Sequence, residues 1–368
     1  MSIRTSFAFL LLGTAAWAQT QRIDPRSTMH ITFPEDSPVA VLSADWGESN
    51  ASARGGAMLL DLHTSLLLKN SGQKSIRGVT LLVSAQDVTP GGKASVSVPS
   101  LHAAPGENFP IRIDLRLLRP LQAGNGPLVE IGLDGVLFDD LSFAGPNKLN
   151  SRRSMTVWEM EARRDRQHFR QVLESQGREG LKSEMLASLD YQAERAQKDA
   201  RVAQSGRATT TRDERQIQVA FLSSSAAPVA AFDGMVRISE NEARSPRLFL
   251  RNNTSRPVRA VEMGWLVKDD RGGEFVAGSI PVEVTLAARQ KTTLVQDVTY
   301  KFSLPGGRPI KITDMTAFLS SVEFADGEMW VPERAAGKLP TPSPEEQRLT
   351  ALYRKKGLDA VMEELKRF

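Results

Sequence analysis

The residues able to carry catalysis or bind metal in this chain are few and scattered. Its four histidines, His30, His63, His102 and His168, stand singly, and no two lie three to five residues apart as a helical zinc motif requires. His168, in a basic stretch, reads as a solvated helical residue. Cysteine is absent, which removes thiol catalysis, Cys-zinc sites, iron–sulfur clusters and disulfides. No Gly-x-Ser-x-Gly elbow occurs. Gly91-Gly92-Lys93 lacks the strand–loop spacing of a phosphate cradle and reads as a hairpin turn. Asp139-Asp140, Asp269-Asp270 and Asp326 fall at expected strand ends, where carboxylate oxygens can hold calcium. The same residues are turn formers, because Asp caps nearby backbone N–H groups, and the turn reading is favoured. The sequence therefore assigns no catalytic residue, no metal ligand and no cofactor.

Two sets of side chains point to binding instead. Arg163, Arg166 and Arg170 share one side of an expected helix at i, i+3 and i+7, with Arg164 beside them and Arg152 and Arg153 upstream. Such a patch suits an acidic protein, an anionic lipid or a cell-wall polymer. Glu159, Glu161, Asp165 and Glu174 offer the alternative of a solvated, self-neutralised face, which is favoured. Trp46, Trp265 and Trp330 could form an aromatic platform for carbohydrate. Trp265 sits in a strongly apolar strand and is expected in the core, whereas Trp330, near a strand end, fits either role. With 47 basic and 43 acidic residues the chain is nearly balanced, so no nucleic-acid partner is expected.

The elements that would position these residues occur twice. Leu68-Lys69-Asn70-Ser71 with Ile76-Arg77-Gly78-Val79 returns as Leu250-Arg251-Asn252-Asn253 with Val258-Arg259-Ala260-Val261. Val136, Phe138 and Asp140 return as Val322, Phe324 and Asp326. Phe169, Val172, Gly177, Leu181 and Met185 return as Leu349, Leu352, Gly357, Val361 and Leu365. The offset is nearly constant across the three sets, which implies one ancestral unit copied in tandem.

Within each copy the period changes from two to about 3.6. Phe109, Ile111, Ile113 and Leu115 alternate with polar residues, which specifies a strand with one buried face. Short strands at this spacing, without helical crossovers, predict an antiparallel sandwich. From Ser154 onward Trp158, Ala162, Phe169, Val172 and Leu173 follow a helical face; Gly177 breaks it, and Leu181, Met185, Leu186 and Leu189 resume it. Pro344 opens a shorter version, interrupted at Gly357. Arg4, the apolar run Phe7 to Leu12 and Ala16-Trp17-Ala18 read as a cleavable secretory signal. The resulting layout is a signal at 1–18, a first sandwich at 28–148, and a helical hairpin at 152–203. A linker at 204–216, a second sandwich at 217–334, a Pro-rich linker at 335–343 and a second hairpin at 344–368 complete it.

The run Leu101 through Pro105-Gly106-Glu107 to Phe109 and Ile111, after a strand pair joined at Asn70-Ser71, resembles the immunoglobulin-like sandwiches of bacterial exported proteins. The second copy departs from it, with Gln290-Lys291-Thr292 in place of Pro-Gly-Glu. The resemblance implies a mainly β fold with α-helices, as two tandem sandwiches each followed by a helical hairpin, and brings no site residues. The function expected is that of a non-enzymatic periplasmic or secreted binding or scaffold protein, contacting an envelope protein or surface polymer. No transmembrane segment is expected after the signal. A hydrolase of glycans or peptides with carboxylates between the two units is one alternative. A homo-oligomer assembled through the helices is another.

Overall fold

Alternation drives the first unit into sheets. The computed structural model describes residues 20–22, 29–54, 56–86, 91–120, 127–196, 199–207, 213–222, 226–334 and 341–368. The expected signal at 1–18 and residues 335–340 of the Pro-rich segment lie outside the described residues. Two compact units divide at Ser151 and Arg152. The first holds β1 (Thr20–Arg22), β2 (Met29–Thr32), β3 (Val39–Asp45), β4 (Asn50–Arg54), β5 (Ala57–Asn70), β6 (Ile76–Ser84), β7 (Lys93–Val98), β8 (Asn108–Pro120), β9 (Val129–Phe138) and β10 (Phe143–Ala144). In β8, Phe109, Ile111, Ile113 and Leu117 are buried while Arg112, Asp114 and Arg116 face outward, the period-two pattern made physical.

β5 is the spine of one five-stranded sheet. β8 pairs along residues 57–69 on one edge, and β3 and β4 share the other. A second five-stranded sheet centres on β9, between β6 on one side and both β10 and a parallel β2 on the other, with β7 outside β6. Leu60, Leu62, Leu66 and Leu68 of β5 share one apolar cluster with Val79, Leu81, Ile131 and Val136 of the second sheet. Burying each such side chain contributes ~1.5–3 kcal/mol, which stands in for the missing disulfides.

The second unit opens with α1 (Ser151–Ala196) and continues through β11 (Asp199–Ser205), β12 (Arg215–Gln218), β13 (Ala220–Leu222), β14 (Val229–Ser239), β15 (Glu242–Asn252) and β16 (Val258–Asp269). β17 (Glu274–Leu286), β18 (Lys291–Val295), β19 (Thr299–Ser303), β20 (Ile312–Phe324) and β21 (Met329–Trp330) follow, and α2 (Pro344–Lys356) and α3 (Leu358–Arg367) end the chain. The first unit's wiring is repeated. β15 pairs β14, β16 lies between β17 and β20, β21 pairs β20 as β10 pairs β9, and β13 runs parallel to β20 as β2 does to β9.

One segment departs from expectation. Residues 199–205, read from sequence as the end of a helix and the start of a linker, form β11. This strand pairs antiparallel with β19 and, at Asp199 and Ala200, parallel with β17. It therefore joins the two halves of the second unit into one eleven-stranded sheet folded around a single core that includes Trp265, Tyr300 and Phe302. The expected linker at 204–216 thus starts inside a strand and ends in β12, and its residues 208–212 lie outside the described ones.

Helix α1 kinks at Gly177, whose φ of 68° and ψ of −163° belong to a region open almost only to glycine. Gly357, its counterpart between α2 and α3, has φ 82° and ψ −177°. Both interruptions expected from sequence are present with one backbone geometry. Among the described residues no helix is long and apolar enough to cross a membrane.

Candidate binding surfaces

The duplicated Asn shows why each repeat turns where it does. Asn70 is fully buried; its Nδ2 donates to the carbonyls of Lys74 and Ala103, both at 2.9 Å, and its Oδ1 accepts from the Gly72 N–H at 3.0 Å. Asn252 repeats this, donating to Arg256 at 2.7 Å and Ala287 at 3.0 Å and accepting from Thr254 N–H at 2.9 Å. Glu107 caps the N–H of Ala104, and Gln290 caps that of Ala287 in the same way. The Glu-to-Gln difference between copies therefore keeps one hydrogen bond and drops only the charge.

The acidic pairs are turn residues. Lys74 Nζ donates to Asp140 at 2.6 Å, and Arg256 donates to Asp326 at 2.6 Å, the same pair at equivalent positions of the two copies. Each carboxylate also accepts from the backbone N–H two residues on, at Ser142 and Glu328. Lys74 and Arg256 hold the two carboxyls below the usual carboxylate range. Asp269 accepts from Arg271 N–H at 3.0 Å and Gly273 N–H at 2.6 Å, and Asp270 faces Lys311 at 3.6 Å. Asp139 begins the same turn as Asp140, its N–H donating to the Ser75 carbonyl. No metal-holding group of three His, Asp or Glu side chains occurs among the described residues. His63 bonds Asp114 at 3.0 Å on the outer face of the first unit, a bond that lowers the Asp114 pKa. His102 bonds Arg77 at 2.8 Å. His168, expected to be solvated, is half-buried and bonds Glu184 at 2.9 Å.

The arginine patch, offered as a partner surface with a solvated, self-neutralised face favoured, is mostly internal. Arg166 is 4% exposed and bonds Glu159 at 2.9 Å and Glu345 at 3.3 Å, with its guanidinium 4.1 Å from the centre of the Phe368 ring. Arg164 grips Asp165 and the Pro332 carbonyl at 2.9 Å each, and Arg170 donates twice to the Leu365 carbonyl. Arg163 is the more open of the four, yet it bonds Glu159 at 3.0 Å, one turn back. Upstream, the Arg152 guanidinium lies beside Gly327, and Arg153 is buried between Glu283 and Glu323 at 3.7 and 3.8 Å. Trp330 is half-buried, paired with Val322 across β20 and packed against the core. Trp46 packs likewise on the first core, and Trp265 is buried, as its apolar strand implied.

These cations fasten α1 to α2 and α3. Phe169, Leu181 and Met185 of α1 share one apolar cluster with Leu349, Val361 and Leu365, the residues that repeat them. Around it, Arg334 reaches Asp165, Glu184 and Glu346, and Arg348 bonds Glu345 at 2.8 Å and Glu364 at 2.6 Å. Burial opposes the charge on Arg348, but Glu345 and Glu364 outweigh it and raise its pKa. Ser343 accepts from Glu346 N–H as the cap of α2 and donates to Asp165, which ties the start of α2 to α1. The His168–Glu184 bond recurs at the equivalent positions of the second copy as Arg348–Glu364. Half-buried Glu161, further along α1, is pushed up to about 7 by burial, with Asp165 and Glu262 adding and Arg164 opposing.

What remains exposed is different. On β15, Arg247, Phe249 and Arg251 face away from the buried Leu248 and Leu250. The alternation Arg-Leu-Phe-Leu-Arg carries that signal in the sequence, but not whether another element covers the outward face.

No protein-family model matches the chain, and no curated protein matches it. Solved structures that align with it include the CBM32-1, CBM32-2 and M60 catalytic domains from Clostridium perfringens ZmpB, at 7% identity and a TM-score of 0.11. That alignment covers 95% of this chain but 46% of the other. Native PhpD with cadmium atoms aligns at 10% identity and a TM-score of 0.10, over 74% of this chain and 80% of that one. An allantoicase aligns at 8% identity and 0.09, over 76% and 83%. Scores this low carry no argument about fold or activity.

Proposed function

We propose that this is an exported bacterial binding or scaffold protein without catalytic activity, built from two copies of one module. In this reading each module is an immunoglobulin-like sandwich with a helical tail, and the tails clasp each other. The observation that carries it is where the polar side chains are spent. The aspartates offered for calcium cap turns and pair with cations, and the helix arginines hold α1 against α2 and α3. Side chains committed to holding a shape suit a rigid display of surfaces for an envelope protein or polymer. The helical stripes are likewise used within the chain, which disfavours assembly of oligomers through them.

The test is a pull-down from an envelope extract with the mature protein, run beside assays for glycan and peptide hydrolysis. Retention of a defined protein or polymer without turnover is the expected result. Robust turnover with nothing retained overturns the proposal in favour of a hydrolase.

A further inference from the structure

The two outer faces of the second unit's sheet are treated unequally. Over β16, β17 and β20 lies α1, with Arg153 reaching Glu283 and Glu323 and Arg164 on Pro332. The face formed by β14, β15 and β18 is exposed. Arg247 stands opposite Val295, Phe249 opposite Thr293, and Arg251 opposite Lys291. On the other side a bulge between Ala231 and Asp233 leaves Phe232 out of the ladder, and bulges of this kind re-aim a side chain. Phe232 is 54% exposed and Val295 55%. The Phe232 ring sits 6.2 Å from that of Phe249, with Lys291 Nζ 5.9 Å from its centre. Arg247, Arg251 and Lys291 are exposed, and none has a carboxylate partner among the described residues. Asp233, opposite Phe249, accepts from the Gly234 N–H at 2.8 Å, and Glu242 at the start of β15 is held by Arg244 and Lys301.

The first unit has the same bulge with a different chemistry. Its β3 is irregular between Val41 and Ser43, and the skipped residue, Leu42, is exposed beside Leu67. There Arg112 is paired with Asp114 and Arg116 with Asp61, and Lys69, the counterpart of Arg251, is the neighbouring cation without a carboxylate partner among the described residues. Among the described residues the second copy gathers three such cations, Arg247, Arg251 and Lys291, around aromatic and aliphatic tips, where the first copy has Lys69 beside Leu42 and Leu67.

We propose that the β14–β15–β18 face docks on an anionic lipid surface. Three cations meet headgroup phosphates while the tips of Phe232 and Val295 enter the boundary between headgroups and acyl chains. A soluble acidic polymer satisfies the cations but leaves both apolar tips in water, and a sugar platform calls for flat Trp or Tyr rings with hydrogen-bonding neighbours. The inference deepens the binding-protein reading and rests on it for exposure to an envelope. A pull-down can succeed through another surface while this docking fails, so the two outcomes separate.

The experiment is co-sedimentation of the mature protein with phosphatidylglycerol–phosphatidylcholine vesicles and with pure phosphatidylcholine vesicles. Binding to the anionic vesicles alone, weakening as salt rises, is expected. Each Lys or Arg near such a surface strengthens binding roughly fivefold, so Arg247→Ala/Arg251→Ala/Lys291→Ala should weaken it on the order of a hundredfold. Phe232→Ser/Val295→Ser should weaken it as well, whereas Leu42→Ser should leave it intact; all are exposed positions, and unchanged thermal melts confirm folding. Absence of anionic-vesicle binding overturns the proposal, as does binding indifferent to the triple variant. Retention on polyglutamate with Phe232→Ser/Val295→Ser unchanged on vesicles overturns the lipid assignment and makes the face a polyanion site.

Discussion

Replacing Arg166 separates a structural arginine from a partner-binding one. Its guanidinium lies between Glu159, 3% exposed, and Glu345, 0% exposed, at 2.9 and 3.3 Å. Arg166→Ala leaves two carboxylates in a poorly solvated site with less positive charge. Breaking a buried pair in this way costs ~3–5 kcal/mol. Arg163 still reaches Glu159 and Arg348 still reaches Glu345, so the loss belongs at about 3 kcal/mol, the lower end of that range. Urea unfolding followed by circular dichroism measures it. A second variant isolates the cause: Arg166→Met/Glu345→Met removes both charges and keeps apolar volume, and should recover most of the loss. A change within about 0.5 kcal/mol for Arg166→Ala, typical of exposed positions, would refute the clasp, the more so if it abolished retention of an envelope partner.

Other outcomes follow from the same geometry. Glu161 has a folded-state pKa of about 7, above its ordinary 4.5 because of burial. The folded chain therefore holds its proton more tightly than the unfolded one, and the stability is full below pH 4.5 and lost as pH rises toward 7. Glu161→Gln should be more stable than the parent by up to ~3 kcal/mol above pH 7 and equal to it in acid, read from melting temperature against pH. Gly177→Ala and Gly357→Ala force a methyl into backbone reserved for glycine and should each cost about 1–3 kcal/mol in chemical unfolding. Asn70→Ala and Asn252→Ala strand buried carbonyls in equivalent turns; both should lose roughly 3 kcal/mol, and a marked inequality would argue against equivalent roles for the two copies.

Much of the fold was legible locally. β8 follows from Phe109, Ile111 and Ile113 alternating with polar neighbours, and the kinks at Gly177 and Gly357 follow from a residue that alone tolerates that backbone. β11 was not legible, because Ala200 and Val202 give only a short alternation in a polar stretch. Its hydrogen bonds go to β17 and β19, both far along the chain. Phe232 was hidden for a similar reason: a bulge is a mismatch between two strands and is not written in either one.

The repeat, the strand faces and the helix breaks were settled by spacing, since periodicity and glycine act over a few neighbours. The fate of the arginines was not. A basic run on a helix has the same spacing whether it meets water or carboxylates, and Glu345 and Glu346 reach Arg166 and Arg334 from the C-terminal helix α2. Charge is neutralised in space rather than along the backbone, so folding alone turned an apparent binding patch into a clasp and left the cations of β15 and β18 uncovered.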